Sequence, residues 1–209
     1  MKAPLLLLVA VALFATHAPA YSQYIYIDDN GDGVCNSYDL LHSGITSLDV
    51  YLDTNHDRDG NSVACSDGTN ELDIGSYDIL LHVNTDSGSV TFNGWTNGPD
   101  MPGFVELNAF SVAGNNVGVG YTGSGFLPAG RYKLGTFSVT VTRTPSVHFL
   151  TSPGDPAIPS PVTGFGSHCS GTDFPNTVAL GFDFFDSCIP TFPVAVESTT
   201  WGKIKMTYR

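Results

Sequence analysis

Tyr132-Lys133-Leu134-Gly135-Thr136-Phe137-Ser138-Val139-Thr140-Val141-Thr142 sets Phe137, Val139 and Val141 on one side of an extended chain and Thr136, Ser138, Thr140 and Thr142 on the other. Successive side chains of a strand point to opposite faces, so this period of two predicts a half-buried β-strand. The same alternation recurs in Tyr24 to Ile27, Leu48 to Leu52, Ser76 to Val83, Ser89 to Trp95, Val117 to Tyr121, Val147 to Leu150, Val178 to Phe185 and Trp201 to Tyr208. Gly, Pro, Asn and Asp punctuate the gaps, and 23 Gly and 13 Pro in 209 residues weigh against helices. Only Tyr38 to His42 and Asp73 to Ile79 offer a helical turn. Many short strands at this spacing predict an all-β, antiparallel jelly-roll sandwich.

Between the first two strands lies Asp28-Asp29-Asn30-Gly31-Asp32-Gly33-Val34-Cys35-Asn36-Ser37-Tyr38-Asp39. Oxygen-bearing side chains stand at loop positions 1, 3, 5, 9 and 12, with glycine at 6. A hard cation takes six to eight oxygens at about 2.3–2.6 Å, and this spacing supplies them. Asp28, Asn30, Asp32 and Asp39 give side-chain oxygens, Val34 a carbonyl, and Asn36 a ligand through water. Calcium is the expected cofactor, because carboxylate, amide and carbonyl oxygens suit it better than softer metals.

A second acidic run, Asp53-Thr54-Asn55-His56-Asp57-Arg58-Asp59-Gly60, carries Asp53, Asn55, Asp57 and Asp59 at every second position. It is a second metal-loop candidate, with Asp67 able to close it. Asp59-Gly60 is also an ordinary turn, and no carboxylate falls at the twelfth position.

The chain opens with Met1-Lys2, an apolar run to Ala15, and Ala18-Pro19-Ala20. That is the pattern of a secretory leader over residues 1–20, too short for a comfortable membrane span. We therefore expect a secreted, extracellular or cell-surface protein without membrane insertion of the mature chain. With 20 acidic against 8 basic residues, and a formal charge of −12 that loses Lys2 with the leader, nucleic acid would be repelled. An exported chain with Cys35, Cys65, Cys169 and Cys188 favours disulfides. Three connectivities are possible. Local loop closure favours Cys35 with Cys65 and Cys169 with Cys188. Spacings this wide, without a Cys-x-x-Cys pair, do not suggest zinc.

Signatures of catalysis are sparse. His42, His56, His82, His148 and His168 are isolated, no Gly-x-Ser-x-Gly elbow occurs, and no glycine-rich loop leads into Lys-Ser or Lys-Thr. The expectation is a protein that is not an enzyme. Tyr24 and Tyr26 share a strand face opposite Ile25 and Ile27 and are the best candidates for an exposed, sugar-stacking pair.

Two resemblances refine this reading. Asp28, Asn30, Asp32, Gly33, Asn36, Ser37, Asp39 and Leu40 resemble the calcium loop of dockerin modules and, more distantly, the EF-hand, although no second repeat follows and a strand precedes the loop. From about Leu48 to Leu150 the element order resembles a cohesin-type sandwich. The matching segments are Val50 to Asp53, Ser76-Tyr77-Asp78-Ile79-Leu80, Val90-Thr91-Phe92, Gly118-Val119-Gly120-Tyr121 and Leu134 to Val141. The cohesin resemblance implies a nine-stranded jelly roll used for binding. The expected organisation is a leader at 1–20, a calcium-loop segment at 21–46, a sandwich at 47–150, and a Pro/Gly-rich connection with closing strands at 151–209. The expected function is calcium-dependent, non-catalytic binding to an extracellular protein partner. A carbohydrate-binding module for polysaccharide degradation and a matrix or fibre subunit are the alternatives.

Overall fold

The computed structural model describes residues 24–35, 39–57, 60–63, 72–150, 157–158, 162–168 and, for the backbone alone, 183–184. The leader, Asn36, Asp59, Asp67, Cys65, Cys169, Cys188, the strand expected at Trp201 to Tyr208 and most of Val178 to Phe185 lie outside the described residues. Among the described residues ten strands run in chain order: β1 Tyr24–Asp28, β2 Ser47–Asp53, β3 Ile74–Asn84, β4 Gly88–Asn97, β5 Phe104–Ala113, β6 Asn116–Leu127, β7 Arg131–Arg143, β8 Ser146–Phe149, β9 Gly164–Gly166 and β10 Asp183–Phe184. They form two sheets, β10-β1-β2-β7-β4 and β5-β6-β3-β8, with β9 also pairing β3. Pairing is antiparallel except between β1 and β10, which run parallel. The all-β sandwich predicted by the alternation is the observed architecture.

The inner faces meet in one core. Ile25 and Ile27 of β1 join Leu48, Val50 and Leu52 of β2, Phe137, Val139 and Val141 of β7, and Ile79, Leu81 and Val83 of β3. The segment at 21–46 thus contributes a strand to the same core as the sandwich. In β7 the inward residues change parity between Leu134 and Phe137, where a bulge lets Val50 pair with Gly135 and Tyr51 with Lys133. An extra residue in one strand has this effect on which face a side chain takes.

Two expectations change. Residues 74–79 belong to β3 and not to a helical turn, because Ile74, Tyr77 and Ile79 serve the core. No residue among those described is helical. β5 was not anticipated. Among the described residues it is an edge strand, and register shifts between Glu106 and Asn108 and between Asn108 and Ser111 break its alternation.

Candidate functional site

At the end of β1 the chain wraps around the Asp28 carboxylate. Asp28 Oδ1 accepts the backbone N–H groups of Asn30 at 3.1 Å and Gly31 at 2.7 Å, and Oδ2 accepts that of Gly33 at 2.6 Å. The pattern advances two residues at a time: Asn30 Oδ1 accepts from Asp32 N–H at 2.9 Å, and Asp32 Oδ1 from Val34 N–H at 2.7 Å. Short polar side chains that hold their own backbone in this way set up successive turns. Gly33 sits at φ +72°, where a side chain is strained, and a Cβ there would lie 3.3 Å from the Tyr51 hydroxyl. The Gly33 carbonyl accepts from the Tyr26 hydroxyl at 2.8 Å, which in turn accepts from Arg131 on β7. Loop position 6 is thereby tied to β1 and, through Tyr26, to β7.

Asp39 closes the loop. Its Oδ1 accepts from Asp29 N–H at 3.3 Å, and Asp28 and Asp39 are only 1% and 0% exposed. Asp29, at a position given no ligand role by the spacing, is also drawn in. Its Oδ2 is buried without a hydrogen-bond partner. Burial, then the Asp39 charge, and more weakly Asp28, push the Asp29 carboxyl up to about 6, with His42 acting in the opposite direction. Buried carboxylates are stable when a cation or donors offset their charge. Nearby, Asp49 has such partners: Lys133 Nζ at 2.5 Å and Thr136 Oγ1 at 2.6 Å. Among the described residues no three His, Cys, Asp or Glu side chains converge as a ready metal-ligating group. An oxygen shell around this loop would need Asn30, the Val34 carbonyl, Asn36 or water besides the carboxylates. The orphaned Asp29 oxygen beside Asp28 and Asp39 is the feature that fits a cation.

The second acidic run is organised differently. Asp53 Oδ1 accepts from the N–H groups of Asn55 at 3.1 Å and His56 at 3.0 Å, and lies 3.2 Å from His56 Nδ1. Asp57 accepts from Asn61 N–H at 2.8 Å and from its side-chain amide. A bridge between His56 and Ser62 closes the loop as a small hairpin. Here the carboxylates cap their own turns.

Tyr24 and Tyr26 are not an exposed pair. They are 9% and 2% exposed, because the first loop, Tyr51 and Arg131 cover their face of β1. Tyr26 stacks between Tyr24 at 5.0 Å and Tyr51 at 5.2 Å, with the Arg131 guanidinium 5.5 Å from its ring and 5.1 Å from that of Tyr51. Burial raises the Tyr26 hydroxyl far above its ordinary range. The Tyr26 ring, packed on both faces, cannot stack on a sugar, and Tyr24 is buried beside it. Cys35, packed against this cluster, is disulfide-bonded.

Among the described residues, the most exposed large apolar side chains outside the loops lie on the unanticipated strand. Val105 and Leu107 of β5 are 62% and 58% exposed, with Val112 also open to solvent. Inward from this edge the outer face of the sheet is shallow: Asn108 Nδ2 donates to Asp78 Oδ1 at 2.8 Å directly over Gly120, and a Cβ at Gly120 would collide with that pair.

No family model matches the sequence, and no curated protein matches it. Among solved structures, the chain is similar to the second type II cohesin module from the cellulosomal adaptor ScaA scaffoldin of Acetivibrio cellulolyticus. That match has a TM-score of 0.47 at 9% identity and covers 77% of this chain and 91% of that one.

Proposed function

We propose that this chain is a secreted, calcium-ordered sandwich that acts as a non-catalytic assembly module, docking an extracellular protein partner along β5. The observation that carries this reading is the pair Val105 and Leu107, largely exposed on a strand that has one unpaired side among the described residues. Edge strands offer unsatisfied backbone groups, and natural proteins usually blunt them with charge. In β5 only Glu106 does so. A partner strand or apolar surface laid there would gain both main-chain hydrogen bonds and burial of the two side chains.

Calcium would act at a distance from this face. Bound by the oxygens of Asp28, Asn30, Asp32, Asp39 and the Val34 carbonyl, with Asn36 through water, it would offset the buried carboxylates and fix the loop against β2 and β7. Cys35 would be staked by a bond to Cys65. Extracellular sites work at dissociation constants of about 10⁻⁴–10⁻³ M, which suffices for a structural ion.

The test is capture of partners from the secreted fraction of the producing cells, using the wild-type chain and Leu107→Asp with Val105→Asp. Loss of a captured protein in the double variant, at unchanged unfolding temperature, supports the reading. Equal capture by both removes β5 as the docking strand. Association of the wild-type chain only with itself, lost in the variant, would favour the fibre-subunit alternative.

A further inference from the structure

The exposed stretch of β5 has a counterpart elsewhere in the sequence. Val105 and Leu107 are largely exposed, and Glu106 between them is exposed as well. Glu106 has the parity of buried Phe104 and stands opposite Tyr121, whereas Val105 stands opposite Thr122 on the outer face. No Lys or Arg pairs with Glu106 among the described residues. The accessible side of β5 thus reads apolar, acidic, apolar, and alternation puts the acid on one face and the two apolar side chains on the other.

Ile204-Lys205-Met206, outside the described residues, reads apolar, basic, apolar within the alternation expected of a strand at Trp201 to Tyr208. Lys203, Lys205 and Arg209 are three of the 8 Lys and Arg in a chain that carries 20 Asp and Glu. Laid antiparallel along β5, Ile204 would oppose Leu107, Lys205 would oppose Glu106 and Met206 would oppose Val105. Directly opposed apolar pairs and opposite charges stabilise such a ladder, and like charges opposed destabilise it. Main-chain hydrogen bonds along the unpaired side of β5 add to them. The segment follows β10, which lies at the β1 end of the first sheet. β4 lies at the other end, and its Val90 and Phe92 line a cleft together with Val112 of β5. From β10 the chain therefore departs on the side of the sandwich away from its own β5, which favours the β5 of a second copy.

We propose that residues 201–208 of one copy add as a strand to β5 of a second copy, with Lys205 against Glu106 and with Ile204 and Met206 against Leu107 and Val105. The inference rests on β5 as a docking strand and names an occupant that the chain itself supplies. Donor and acceptor are different surfaces, so the contact is heterologous and propagates head to tail into chains or rings. An external partner and a second copy then compete for one edge. Self-association keeps that edge covered while no partner is present.

The experiment is sedimentation velocity of the untagged mature chain in excess calcium, over a wide range of concentration. The wild type is expected to associate reversibly, and less tightly at high salt. Lys205→Glu and Glu106→Lys should each raise the dissociation constant by about tenfold. Joining the two substitutions in one chain restores opposite charges and should recover most of the wild-type affinity. A synthetic peptide of residues 199–209 should dissociate the wild-type assembly, a readout that needs no substituted chain. A wild type that stays monomeric at every concentration, association that survives Leu107→Asp, no recovery in the doubly substituted chain, or no effect of the peptide would overturn the proposal. Partner capture lost in the β5 variants, with a monomeric wild type, would keep β5 as the docking strand and remove only this occupant. Self-association as expected, with no partner captured, would do the reverse.

Discussion

The two acidic loops have nearly the same composition and differ in how deeply their carboxylates are buried. In the loop after β1, Asp28 and Asp39 are buried, and Asp29 keeps a buried oxygen with no partner. In the loop after β2, Asp53 and Asp57 spend their oxygens on the N–H groups of Asn55, His56 and Asn61. Asp, Asn and Gly at alternate positions are therefore not enough to define a cation loop. What separates the two is the buried Asp29 oxygen, which the first loop's donors leave without a partner although they satisfy Asp28.

The largest effect that would sharpen this contrast is calcium itself. At a concentration 100 times the dissociation constant, a ligand bound only to the folded state adds about 2.7 kcal/mol. For a domain of this size that is roughly 5–10 °C in unfolding temperature, removed by EDTA. Next is Asp28→Ala. It deprives three backbone donors of their acceptor and should cost about 2 kcal/mol even without metal, as read by denaturant unfolding. Gly33→Ala should cost about 1–2 kcal/mol, since φ +72° is strained for alanine and Tyr51 must yield.

Asp53→Ala is expected to cost about 1 kcal/mol through its lost turn cap, with the calcium response intact. The smallest expected effect has the opposite sign. In EDTA at pH 7, Asp29→Asn should stabilise the chain by about 1 kcal/mol, after discounting for its partial exposure, because a carboxyl raised to about 6 is destabilising when ionised. The same substitution should reduce the calcium-dependent gain. If Asp29→Asn destabilises in EDTA, the account of the first loop's electrostatics is mistaken.

How far the sequence carried these conclusions depends on distance along the chain. β7 and β3 were legible because inward Val, Ile, Leu and Phe alternate with polar residues within one strand. β5 was not, since an edge strand with two register shifts lets Val105 and Leu107 face solvent and destroys the period. The ladder from Asp28 to Asp32 was legible as spacing. The role of Asp29 was not, because it arises from Asp39 folding back onto it. Tyr24 and Tyr26 misled for a related reason: alternation shows that two residues share a face, and only the fold shows that Tyr51 and Arg131 cover it.

The most direct test is thermal unfolding of the mature chain across a calcium titration from excess EDTA, for wild type, Asp28→Ala and Asp53→Ala side by side. The account predicts a saturable rise in wild type and Asp53→Ala that is abolished in Asp28→Ala. A rise that survives Asp28→Ala and vanishes in Asp53→Ala, or no rise in any of the three, would contradict it.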